Sequence, residues 1–236
     1  MKVFSIFFGI TLAAQAVGQS AIPFSGLPSM YGANVVAGSV VDKGNYTFAG
    51  AKFKVPTVKA PSGGLSHAEY CTSIWAGVGH GGDLSIQACL NACILNGKAT
   101  YDVFFPEPGL FIDGSSAKAG EQLQISFDPT NEGRAAITDA KKGKEYSYGG
   151  AGTLWDRIYF LVQNRTEGMA LTNFGTLEFT DVYAYINVDL TDFSASTDLK
   201  DKPDLQGAAL YGLSPNGKTL VKSSNTDTKV TIEYVE

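Results

Sequence analysis

Leu84-Ser85-Ile86-Gln87-Ala88-Cys89-Leu90-Asn91-Ala92-Cys93-Ile94 alternates without a break. Leu84, Ile86, Ala88, Leu90, Ala92 and Ile94 share one parity; Ser85, Gln87, Cys89, Asn91 and Cys93 share the other. Successive side chains of a strand point to opposite faces, so this period predicts a strand with one face on a core. The second face looks into a cleft or solvent. Taken alone, Gln87 there reads as a solvated strand side chain among small neighbours.

Working outward, the chain keeps the same grammar. Candidate strands are Asn34–Val41, Asn45–Val55, Thr72–Val78, Leu84–Ile94, Lys98–Phe105 and Gln122–Asp128. They continue with Arg134–Thr138, Arg157–Gln163, Thr176–Asn187, Ala208–Leu213 and Lys229–Val235. Turn signals such as Pro61-Ser62-Gly63-Gly64, Asn96-Gly97 and Pro215-Asn216-Gly217 separate them. No stretch sustains a 3.6-residue apolar period, so helices are expected to be short or absent. The class is all-β, and residues 19–236 suit one sandwich or barrel domain. Thr191–Gln206 is polar and charged and reads as a long surface loop.

The first residues follow a different logic. Met1-Lys2 gives a positive start, Val3 to Leu12 is largely apolar, and small residues follow at Ala14-Gln15-Ala16 and Ala16-Val17-Gly18. That pattern is a secretory signal, residues 1–18, with cleavage expected near Gly18. The apolar run is shorter than the roughly 20 residues a membrane-spanning helix needs. A secreted, extracellular protein is therefore expected, with only Gln19–Tyr31 as room for a prosegment. Sequons at Asn45-Tyr46-Thr47 and Asn164-Arg165-Thr166 would accept glycans on that route.

Without the signal, 17 basic residues face 23 acidic ones, a net charge of −6. Nucleic acid and anionic membranes need a basic face, so neither is expected as a partner. Three cysteines, Cys71, Cys89 and Cys93, permit one disulfide in an oxidising compartment. On one strand Cys89 and Cys93 would stand about 13 Å apart at ~3.3 Å per residue. A disulfide tolerates a Cα separation of only about 7 Å, so Cys71 is expected to pair with one of those two. The spacing is not that of a metal site, and His67 and His80 add little, so no metal or other cofactor is expected.

Several blocks, in order, resemble the fungal glutamic peptidases, the eqolisin family. Glu69-Tyr70-Cys71-Thr72-Ser73-Ile74-Trp75-Ala76-Gly77-Val78 is similar to the segment leading into that family's active site. Phe53-Lys54-Val55-Pro56-Thr57 resembles an early strand ending in Val-Pro, Ser85-Ile86-Gln87 a Leu-Gln strand, and Thr100-Tyr101-Asp102 a Tyr-Asp strand. Asn173-Phe174-Gly175-Thr176-Leu177-Glu178-Phe179-Thr180 resembles its Phe-Gly-Thr segment, and Val230-Thr231-Ile232-Glu233-Tyr234-Val235 its terminal strand.

The resemblance implies two packed antiparallel seven-stranded sheets, a concanavalin A-like jelly roll of the lectin and glucanase kind. It also implies an acid endopeptidase working through a Gln–Glu pair. The glutamate takes a proton from the attacking water and returns one to the leaving amine. The glutamine amide donates to the oxyanion of the tetrahedral intermediate. A glutamine cannot act as the base, so both members are needed.

Carried over by position, Gln87 matches the family glutamine, Trp75 the tryptophan beside the cleft, and Asp102 the aspartate of the supporting strand. Gly79 stands where the family usually has an acid. In Phe104-Phe105-Pro106-Glu107 the embedded glutamate position is Pro106, with Glu107 beside it as a substrate-binding candidate. The glutamate strand, Ala-Glu-Trp-Ile-Val-Glu in the family, corresponds to Thr153–Asn164. Aligning Phe160 with the family tryptophan puts Tyr159 at the glutamate; aligning Tyr159 or Trp155 puts Ile158 or Leu154 there.

The Tyr159 register is preferred because it sends Arg157, Tyr159, Leu161 and Gln163 to the cleft and Ile158, Phe160 and Val162 to the core. Asp156, the nearest acid, has the wrong parity and would need a bulge to reach the cleft. A phenol's ordinary pKa near 10 is too high for a base in acid.

Three functions follow as expectations. The first is a secreted peptidase-family protein with lost or weakened activity. The second is an active acid peptidase using Gln87 with a carboxylate relocated to Asp156 or Glu107. The third is a binding module whose cleft, lined by Trp75, Phe104 and Tyr159, holds a polypeptide or a glycan without chemistry. A monomer is expected in each case.

Overall fold

The computed structural model describes residues 36–41, 46–80, 83–105, 110–111, 117–128, 134–139, 141–149, 155–164, 170–186, 205, 208–211 and 220–235. The expected signal segment, Asn45, Glu107 and the Pro215-Asn216-Gly217 turn lie outside them. Every regular element among the described residues is a strand. In chain order these are β1 (Val36–Val41), β2 (Tyr46–Lys54), β3 (Tyr70–His80), β4 (Asp83–Leu95), β5 (Lys98–Phe105), β6 (Leu110–Phe111) and β7 (Gln122–Asp128). Then come β8 (Arg134–Asp139), β9 (Lys144–Gly149), β10 (Arg157–Asn164), β11 (Thr176–Ile186), β12 (Ala209–Tyr211), β13 (Val221–Thr226) and β14 (Lys229–Tyr234).

They form two seven-stranded antiparallel sheets, ordered β12-β1-β10-β3-β4-β5-β6 and β13-β14-β11-β2-β7-β8-β9. All eleven expected strands are present, in the double-sheet architecture that the family resemblance implied. The strands that the pattern missed are β6, β9 and β13, all at sheet edges. Edge strands pack on one neighbour and stay polar, as in Lys-Glu-Tyr-Ser-Tyr-Gly and Val-Lys-Ser-Ser-Asn-Thr, so they carry little apolar alternation.

The core fills the space between the sheets. From the first sheet come Ile74, Ala76, Val78, Ile86, Ala88, Leu90, Ile158, Phe160 and Val162; from the second come Phe53, Ile125, Phe127, Ile137, Phe179 and Ile232. Phe179 joins the two, with its ring 5.2 Å from that of Phe160 and 5.6 Å from that of Phe53. Burying such a ring stabilises the fold by about 1.5–3 kcal/mol relative to leaving it in water.

Local chemistry fixes the register. Asn96 and Gly97 both have positive φ, 51° and 74°, and close the β4–β5 hairpin in two residues. Two positive φ values are the requirement of a type I′ turn, which matches the twist of the strands it joins. Gly64 N–H donates to the Pro61 carbonyl at 2.9 Å with Gly63 at φ 72°, closing the predicted Pro-Ser-Gly-Gly turn. Cys71 stands directly opposite Cys93 on neighbouring strands and the two are disulfide-bonded, leaving Cys89 free and buried.

The β3–β4 register slips by one residue between Val78/Ile86 and Gly79/Leu84. Two expectations are corrected. Leu205, inside the stretch read as surface loop, is buried in the core, and its carbonyl accepts from Asn225 Nδ2 at 2.8 Å. Gln87 is 7 % exposed rather than solvated. The polar face of β4 is a buried face.

Candidate active-site cleft

The site is built on the outer face of the first sheet, from β10, β3 and β4 at its centre. The β10–β3 and β3–β4 ladders place Tyr159 opposite Gly77 and Gly77 opposite Gln87. Tyr159 and Gln87 therefore share one row, separated by two strand spacings, or about 10 Å between Cα atoms. Gly77 between them carries no side chain, so the two face each other across bare backbone. The expected parity of β10 is the one observed, since Ile158, Phe160 and Val162 lie in the core while Tyr159 and Leu161 lie on this outer face.

The next row runs Leu161, Trp75, Cys89, Phe104, Phe111. Together with Val40 and Tyr159, the first four of these form a second apolar cluster behind the cleft, in which Phe104 is only partly buried. Trp75 and Tyr159 stack with ring centroids 6.4 Å apart and planes 26° from parallel. Trp75 is only 3 % exposed, and its indole N–H meets no acceptor among the described residues. Burial pushes the Cys89 thiol up, so it stays protonated and behaves as a small apolar side chain.

Beyond that row the face turns polar. Gln163, Ser73, Asn91 and Asp102 align across β10, β3, β4 and β5. Ser73 Oγ donates to Asn91 Oδ1 at 2.6 Å, and both residues are buried. Asp102 is exposed at the end of this row. It pairs with Asn91, four residues along β4 from Gln87, so it sits more than about 13 Å away, beyond hydrogen-bond reach.

The other candidate acids lie elsewhere. Asp156 occupies a bend before β10, its N–H donating to the Gly79 carbonyl at 3.0 Å. The β10–β3 ladder then runs without a slip from Arg157 to Asn164. Asp83 pairs with His80 at the far end of β4, and Glu107 lies outside the described residues. Asn164, a sequon residue, is the last of β10 and stands opposite Thr72. Glu69, Cys71 and Cys93 cluster closely enough to suggest a metal site, but the disulfide consumes both thiols.

Sequence reasoning placed Gln87, Trp75 and Tyr159 in one cleft and the structure brings them together. It missed Gly77, whose signal was the absence of a side chain between two facing residues. It also missed Val40, and it did not read Leu161 and Cys89, which it had sent to that side, as an apolar floor.

Residues 34–234 match the family model described as the Peptidase A4 family. Among curated proteins, the chain is 22 % identical over 230 residues to Aspergillopepsin-2 of Aspergillus niger, covering 84 % of this chain and 77 % of that one. Among solved structures it resembles SCP-B, an eqolisin in complex with the tripeptide Ala-Ile-His, with a TM-score of 0.63, 16 % identity, and 86 % and 99 % of the two chains covered. It resembles scytalido-glutamic peptidase bound to a transition-state analogue inhibitor at a TM-score of 0.62, with the same identity and coverage. At such identities these two likenesses speak to the fold.

Proposed function

The chain belongs to the peptidase A4 family, and we propose that it is an exported member whose acid endopeptidase activity is lost or strongly weakened. One observation carries the reading: Tyr159 stands across Gly77 from Gln87, on the row from which a carboxylate would have to act. Gln87 supplies an amide for an oxyanion, but an amide does not accept the proton of an attacking water. Loss of a general acid–base group typically lowers a rate by about 10²–10⁴. Export rests on the N-terminal segment, with its positive start, apolar run and small-residue cleavage pattern.

The purified mature protein is expected to leave a denatured protein substrate intact from acid to neutral pH. Tyr159→Glu, which puts a carboxylate opposite Gly77, is expected to gain cleavage in acid that Gln87→Ala removes again. Pepstatin-insensitive cleavage by the wild type, itself abolished by Gln87→Ala, would overturn the proposal.

A second reading concerns what the cleft still holds. Gln87 is 7 % exposed on the cleft face, and its amide is not among the fully enclosed polar groups that lack a partner. An amide on a cleft wall that exchanges water for a ligand keeps its hydrogen bonds. A peptide group, offering one carbonyl and one N–H, is its natural complement, so a polypeptide is favoured over a glycan. Peptides at millimolar concentration should raise the melting temperature, and Gln87→Ala should remove that rise. A glycan panel producing the shift instead would reverse the assignment.

A further inference from the structure

We propose that Lys142, held between Glu121 and Asp139, is a clasp that pins the β8–β9 hairpin to the turn ahead of β7 and releases it in acid. The Lys142 ammonium lies 2.8 Å from both carboxylate oxygens of Glu121 and 3.3 Å from Asp139 Oδ2. Each carboxylate is already oriented by backbone donors. Lys118 N–H donates to Glu121 Oε2 at 2.9 Å, and the Lys141 and Lys142 amides each donate to Asp139 Oδ1 at 3.1 Å. The two jaws are thus preformed in separate segments, and the ammonium joins them.

The anchoring jaw is firm. Glu121 carbonyl accepts from Val55 N–H and Gly120 N–H donates to Val55 carbonyl, both at 2.8 Å, which stitches the 117–121 turn to the end of β2. The other jaw belongs to the outermost hairpin of the second sheet, where β9 pairs with β8 alone. β9 is mostly exposed, so the side chains at its turn and along its length decide how tightly it is held. Along its length Arg134 pairs with Glu145 and donates to Ser147 Oγ at 3.0 Å.

The charges around the clasp give its pH window. The Lys142 hydrogen bond, with help from the Lys118 amide, holds the Glu121 carboxyl below the ordinary range. Burial pushes Asp139 up, but bonds from the Lys142 amide and ammonium and the Lys141 amide outweigh it, and its carboxyl also stands low. The Glu121 hydrogen bond, followed by that from Asp139, raises Lys142 against burial. Lys118 and Lys54 flank the anchoring turn, the latter's stem standing near Gly120; Lys141 and Lys144 share the hairpin turn; Glu145 is engaged by Arg134. Carboxylates with lowered pKa values contribute above their unfolded values, about 4, and the contribution is lost as pH falls through the lower folded values. The raised lysine contributes below its unfolded value near 10.4 and fails only as pH climbs through a higher one. The clasp is therefore closed at neutral pH and opens in acid.

Amide hydrogen exchange along Lys144–Gly149, expressed as protection factors, reads the clasp directly and involves neither Gln87 nor proteolysis. At about pH 6, Lys142→Met and Glu121→Gln are each expected to lower that protection roughly three- to tenfold while leaving β3 and β4 unchanged. As pH falls below about 4, the wild type should descend to the level of the variants and the gap should close. Equal protection in wild type and both variants at neutral pH overturns the proposal. So does a gap that persists undiminished in acid.

Discussion

The two outer faces of this sandwich are built from the same alternation and do opposite things. On the first sheet the outward parity carries Gln87, Asn91, Ser73, Cys89 and Trp75, all below a tenth exposed. On the second sheet it carries Lys52, Lys222, Glu178 and Lys229, which stay in water and pair across strands, Lys52 with Asp181 at 3.0 Å and Lys229 with Glu178 at 2.6 Å. The difference lies in the kind of polarity. A full charge is too costly to bury without a partner, so a lysine–glutamate strand face stays solvated. Amides, hydroxyls, a thiol and an indole can be enclosed, so a face made of them can become the wall of a cleft. Even the acid of the first face obeys the rule, because Asp102 is exposed.

The sharpest test of that contrast removes the largest buried side chain of the cleft face. Trp75 packs with Val40, Tyr159, Leu161 and Cys89 and stacks on Tyr159. Truncating a buried tryptophan typically costs about 3–5 kcal/mol. Trp75→Ala is expected to fall in that range in chemical denaturation, with the m-value unchanged. A loss under 1 kcal/mol would mean that this face is open, and the comparison between the two faces would collapse.

Gln87 sharpens the comparison in the opposite direction. It keeps 7 % of its surface exposed, and its amide is not among the fully enclosed polar groups that lack a hydrogen bond, so the fold carries no full desolvation cost there. Only an enclosed polar group without a partner costs about 1–3 kcal/mol. Gln87→Met keeps the length and removes the amide, so it is expected to change stability by less than about 1 kcal/mol while abolishing peptide-dependent stabilisation. A destabilised variant would show instead that the amide is satisfied and structural.

How much of this was legible follows from which forces leave a mark on a single sequence. Strand period marked β4 and β10 because each buries one full face in the core, and Asn96-Gly97 marked its hairpin because few residue pairs accept two positive φ values. Parity, within the register that the family resemblance suggested, sent Tyr159 to the outer face of β10, where it lies. β9 and β13 left no mark because an edge strand packs on one neighbour and is mostly polar. The burial of Gln87 left none either, since alternation reports which side a residue faces and not whether that side is covered. Leu205 was hidden for a related reason: one apolar residue in a polar run has no period to betray it.

The smallest expected effect belongs to the solvated face and is the control for the others. Lys52 and Asp181 keep 42 % and 67 % of their side-chain surface, and Lys229 and Glu178 keep 34 % and 45 %. Exposed pairs of this kind contribute about 0.2–1 kcal/mol, because water screens the attraction and two long side chains lose freedom in forming it. Lys229→Ala should therefore lie at or below that range in denaturant, and added salt should shrink the loss further. Asp181 has a constraint that Lys229 lacks: its φ is 50°, at the point where the β11–β2 register shifts between Thr180 and Tyr183. Aspartate tolerates that conformation better than alanine does, so Asp181→Ala should cost more than Lys52→Ala although both remove the same ion pair. Equal losses would assign the whole effect to charge and leave the bulge without a part in it.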